Sequence, residues 1–194
     1  MGGQIRDPLV GRDILYGVLL GMSWALIYSI FYLLRLRAGD APALGTTDYL
    51  LGAHHVIGSW IWQLATSVQG TLLFFFLMFV LRAILRKPWF AALAFVAAWT
   101  AIKTVGSHHV LIDVSTFAAI YAIAAFVVLR FGFIALATGM FTVDLLLNIP
   151  ITTNLSSWYM GGSLFVILTV VVLAVWGCYT ALAGQKIWKE NLFE

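Results

Sequence analysis

The stretch VLIDVSTFAAIYAIAAFVVLRFGFIALATGMFTVDLLL, Val110 to Leu147, runs for 38 residues with little polar interruption. As a single helix it would be about 57 Å long, nearly twice the roughly 30 Å of hydrocarbon in a bilayer. The stretch must therefore fold back on itself. Arg130 and Gly132 mark the corner, which gives helical spans near residues 110–129 and 133–148. The run is too continuous for membrane strands, which alternate apolar with polar residues over about 9–11 positions.

Working outward, the flanking sequence holds more of the same. Upstream, Ile14 to Leu34 closes on Arg35 and Arg37, and Leu64 to Leu85 closes on Arg86, Lys87 and Pro88. Proline restarts a helix at its first turn, so a further span covers residues 89–105, with Lys103 snorkelling to the surface. Downstream, the last run covers residues 158–182. Ile14 to Leu34 reads as a retained helix, because its apolar core is longer than the roughly 7–15 residues of a signal peptide.

The expectation is an all-α, polytopic integral membrane protein: one helical membrane domain over residues 1–194, with about six transmembrane helices near 14–34, 64–85, 89–105, 110–129, 133–148 and 158–182. Residues 39–62 form the one long outer loop, in which TTDYLLGAHHVIGSWIW suits an interfacial helix.

Composition agrees. The chain is 62% hydrophobic and 10% charged, against roughly 45–50% and about 25% in soluble domains. A chain of this size buries only about 70% of its surface on folding, so the medium for that much apolar surface is lipid. The lone Cys178 excludes a disulfide framework and reads as a small hydrophobe in a packed helix. Trp24, Trp60, Trp62, Trp89, Trp158 and Trp188 fall near span ends or in flanking segments, as an aromatic belt requires.

Charge gives the orientation. With six spans, Arg6, Arg12, Arg82, Arg86, Lys87, Arg130, Lys186 and Lys189 fall on one side, and Arg35, Arg37 and Lys103 on the other. The positive-inside rule then places both termini in the cytoplasm. The basic balance reads as topology, and nothing indicates nucleic acid.

Between the third and fourth spans, KTVGSHHVLID gathers Lys103, His108, His109 and Asp113 on the outer face, which Asp144 approaches from the fifth span. His54 and His55 belong to the same face through the outer loop. The simplest reading pairs Lys103 with Asp113 or Asp144, since an unpaired charge costs about 2.5–3.5 kcal/mol at a helix centre and less near the interface. Alternatives are a metal held by His109 and Asp113 with His54 or His55, a haem or chlorophyll-type macrocycle on a histidine, and proton transfer or ligand sensing. No cofactor is required.

Gly17 and Gly21 form a GxxxG that lets helices approach closely, and packing inside this bundle is the favoured use. Gln63, Thr66, Ser67 and Gln69 load one end of the second span with groups suited to interhelical hydrogen bonds. No GxSxG, phosphate loop or catalytic triad spacing is present.

RDPLVGRDILYGVLLG (Arg6 to Gly21), LRKPWFAAL (Leu85 to Leu93), VDLLLNIPIT (Val143 to Thr152), LSSWYMGGSLF (Leu155 to Phe165) and YTALAG (Tyr179 to Gly184) carry a resemblance. In that order they resemble the C-terminal multi-helix membrane region of acidobacterial-type bacterial serine/threonine protein kinases. The resemblance implies a membrane domain with a cytoplasmic amino terminus. It does not imply phosphotransfer, because the VAIK, HRD and DFG motifs that carry kinase chemistry are absent. The expected function is therefore a non-catalytic membrane module or accessory subunit that packs against other membrane proteins in the lipid bilayer. A cofactor-binding subunit of an electron-transfer or photosynthetic complex, or a small transporter or channel, is the alternative.

Overall fold

The computed structural model describes residues 7–41, 51–149, 151, 152, 154 and 156–182. Among them the chain forms six α-helices and no strand: α1 Pro8–Arg37, α2 Ala53–Leu85, α3 Pro88–Thr104, α4 Val110–Arg130, α5 Phe133–Asn148 and α6 Met160–Ala181. Arg6, Asp48, Leu155, Lys186, Trp188 and Lys189, together with residues 42–50 of the expected outer loop, lie outside the described residues.

Local chemistry sets the helix ends. The Asp7 carboxylate accepts a hydrogen bond from the Leu9 N–H at 2.9 Å, capping α1, and Pro8 takes the first turn, where its missing N–H costs nothing. α2 stops where Arg86 turns left-handed, with φ of 57°, and Pro88 opens α3 immediately afterwards. The corner inside the long apolar run falls at Phe131 and Gly132. Gly132 has φ of 92°, a conformation that is cheap only without a Cβ.

One boundary differs from expectation. α2 begins at Ala53, well before Leu64, so His54, His55, Trp60 and Trp62 are helical and the connection from α1 is correspondingly shorter. Helix continuity depends on the backbone hydrogen-bond ladder and not on side-chain hydropathy, so α2 runs on through polar turns. Its 33 residues make a rod about 50 Å long.

Four helices, α1, α2, α4 and α6, are long and apolar enough to cross a membrane, and α5 is a shorter apolar helix. Large apolar side chains such as Leu19, Leu26, Phe76, Phe79 and Val172 point outward. Cys178 faces outward as a free thiol on α6.

α5 lies between α1 and α2. α1 and α5 run parallel in close approach: a Cβ built on Gly17 would lie 2.5 Å from the Thr138 Cβ and 2.6 Å from the Ala135 carbonyl oxygen. One turn on, a Cβ on Gly21 would meet the Thr142 Cβ at 2.5 Å and the Gly139 carbonyl oxygen at 2.7 Å. Gly11 meets Gly177 and Ala181 of α6 in the same way, with those two helices antiparallel. The GxxxG thus supplies the seam within the bundle.

The other side is held by aromatic rings. Phe74 of α2 packs edge-on to Phe95 of α3 at 5.2 Å, and Trp99 of α3 stacks on Tyr121 of α4 at 5.6 Å. Such pairs contribute about 0.5–1.5 kcal/mol each beyond the area they bury. In lipid, where apolar burial itself drives little helix association, packing of this kind carries the fold. Trp24 belongs to this core at 3% exposure and not to an interfacial belt. Trp62, Trp89 and Trp158 are exposed.

Candidate functional site

The polar groups at the end of the bundle that holds the α1 C-terminus and the α4 N-terminus form two separate features. The first is an ion-pair latch. Arg35, in the last turn of α1, is hydrogen-bonded through Nε to Oδ2 of Asp40. Its Nη1 lies 3.7 Å from Oδ2 of Asp113 at the start of α4. Nε2 of His109 lies 3.3 Å from the other Asp40 oxygen. Asp113 is 2% exposed, and its Oδ1 has no hydrogen-bond partner. The guanidinium is therefore the principal compensation for a carboxylate withdrawn from solvent.

The expected pairing of Lys103 with Asp113 or Asp144 does not occur. Lys103 is exposed and makes no ion pair among the described residues, because the end of α1 reaches Asp113 first. His108 is exposed, and only His109 joins the latch. His54 and His55 sit together at the start of α2 with ring centroids 4.2 Å apart. Among the described residues no three His, Cys, Asp or Glu side chains are grouped to hold a metal.

The Arg35 hydrogen bond holds the Asp40 carboxyl below the usual range, assisted by His109. A carboxyl whose folded value is depressed stabilises the fold above its unfolded value, near pH 4, and loses that contribution as pH falls through the lower folded value. The stability difference between wild type and Asp40→Asn, measured by thermal unfolding in detergent, is therefore expected to be constant above about pH 4 and to close at more acid pH. Both groups are in contact with water, so the difference is small.

The second feature is a cavity of about 500 Å³ between α1, α2, α4 and α5. α1 contributes Trp24, Tyr28 and Tyr32, spaced four apart on one face. α2 contributes Ser67 and Phe74, α4 contributes Tyr121, and α5 contributes Asp144 and Asn148. Asp144 is half-buried on this wall, with no ion pair or hydrogen bond to a described residue.

Of the hydroxyls on the second span, Thr71 reaches across to Met140 Sδ of α5 at 3.4 Å, while Thr66 and Ser67 bond within their own helix. Thr66 donates to the Trp62 carbonyl at 3.0 Å and Ser67 to the Leu64 carbonyl at 2.9 Å, both within α2. Sequence reasoning identified Asp144 but missed its surroundings. The 24, 28, 32 spacing of aromatic residues on α1 was the readable signal, hidden among the many other aromatic side chains.

No family model, curated protein or solved structure matches the chain.

Proposed function

We infer that the chain is an integral membrane protein of six spans with both ends in the cytoplasm, and that it works without catalysis as a membrane module packing against other membrane proteins. This is the role suggested by its resemblance to the membrane region of bacterial serine/threonine kinases. The observation that carries the reading is the outward-facing apolar surface of the long helices, most of all α2 and α6, whose most apolar windows are only 17% buried. The described turns on the α3 side of the bundle are short, Arg86 with Lys87 and Phe131 with Gly132, so much of what a partner can meet lies in the plane of the bilayer. The haem or pigment alternative draws no support from the helix interior, because all four histidines stand at helix ends.

Two measurements test this. With Cys178→Ala as background, a membrane-impermeant maleimide added to intact cells is expected to label Lys103→Cys, and Arg86→Cys only after permeabilisation. The reverse pattern overturns the orientation. Photo-crosslinking residues at Phe76 and Val172, both exposed on long helices, are expected to give protein adducts of defined mass in native membranes, whereas adducts to lipid alone overturn the packing role.

A further inference from the structure

We propose that the cavity between α1, α2, α4 and α5 is a binding site for a small organic ammonium cation, with Asp144 as its counter-charge. The placement of charge leads there. Asp144 lies on α5, the helix enclosed between α1 and α2, and no described cation is within ion-pair distance of it. An unpaired carboxylate on an enclosed membrane helix is costly, and ionisable groups of this kind face cavities and mark ligand paths. The nearby cations are otherwise placed: Arg35 is held by Asp40 and Asp113, and Lys103 is exposed elsewhere.

The chemistry of the wall selects the ligand. A hard metal ion wants about six oxygen ligands, carboxylates foremost, and Asp144 is the only carboxylate among the residues that line the wall. What the wall offers instead is aromatic: Tyr28 and Tyr32 are partly or largely exposed on it, with Trp24, Phe74 and Tyr121 buried behind them. Aromatic rings around one carboxylate suit a cation that is weakly hydrated and carries its own apolar groups, because ring quadrupoles attract the charge while the alkyl groups pack. The volume of about 500 Å³ lies within the roughly 300–1,000 Å³ of small-molecule sites. An alkylammonium of choline size, with or without one aromatic substituent, fits these terms.

The test uses the full chain in mild detergent, with choline and benzyltrimethylammonium as probes and 3,3-dimethylbutan-1-ol as the uncharged shape of choline. Calorimetry is expected to show saturable binding of at least one ammonium, with the neutral alcohol about tenfold weaker or more, a difference of about 1.4 kcal/mol. Asp144→Asn is expected to lose about tenfold or more in ammonium affinity. Tyr32→Leu, at a partly exposed position on the wall, is expected to weaken binding by a smaller factor, and it keeps the test valid should Asp144→Asn misfold. Absence of saturable ammonium binding, equal affinity for the neutral alcohol, or affinities unchanged in both variants would overturn the proposal.

Discussion

Replacing Gly17 and Gly21 together by isoleucine is expected to prevent α1 from docking on α5 and to abolish recovery of a folded, monodisperse protein. At both positions even the first added carbon arrives 2.5 Å from a threonine Cβ and within 2.7 Å of a backbone carbonyl oxygen of α5. Neither obstacle is the end of a flexible side chain, so the helices themselves must separate. Overpacking of this kind costs about 1–3 kcal/mol per site and sometimes more, and two adjacent sites on one seam compound it. Separation also strips α5 of its cover, where Leu136, Thr142 and Leu145 are fully buried. Gly17→Ala and Gly21→Ala singly should each lower the unfolding temperature. The control is Gly58→Ala on α2, where an added Cβ meets nothing within 4 Å and the gain in helix propensity makes the change neutral or slightly stabilising. Equal behaviour of Gly21→Ala and Gly58→Ala in thermal unfolding would remove the α1–α5 seam from the account.

The second large effect is expected at Arg35. Arg35→Leu leaves the Asp113 carboxylate, at 2% exposure, without its cation, and loss of one partner from a withdrawn pair costs about 2–3 kcal/mol, mostly as the penalty of the stranded charge. Arg37→Leu, two residues on, is the comparison, since Arg37 is exposed and makes no ion pair among the described residues. Adding Asp113→Asn to Arg35→Leu should restore much of the lost stability, because the charge that needed compensation is gone. A double-mutant cycle on unfolding midpoints reads the coupling directly, and a coupling near zero would show that the two side chains are neighbours without consequence.

These two sites also show which parts of the structure were open to reading in advance. The fold-back was legible, because Val110 to Leu147 is too long for one crossing and holds one turn-forming glycine followed by another apolar run. The start of α3 was legible from Pro88. The start of α2 was not, since a search for apolar runs stops where His54, His55 and Gln63 dilute hydropathy while the backbone ladder continues through them. At the start of α4, sequence proximity favoured Lys103 as the partner of Asp113, but the structure uses Arg35. That choice depends on α1 and α4 being neighbours in space, and no periodicity or composition encodes which helices sit side by side. The GxxxG of α1 was visible as an interface element, yet the face it meets carries only a weaker small-residue pair, Ala135 and Gly139, and neither names the other as partner. The same limit applies to the cavity. Each of its aromatic residues reads alone as core or interface, and they become one wall only when four helices are brought together.

The length of α2 has a mechanical consequence. A rod of about 50 Å through a hydrocarbon slab of about 30 Å must either lean steeply or project beyond it, and no break occurs between Ala53 and Leu85 to absorb a bend. A tilt or turn imposed on the end carrying His54 and Trp62 reappears at the end carrying Arg82, with Ser67 and Phe74 of the cavity wall swept along in between.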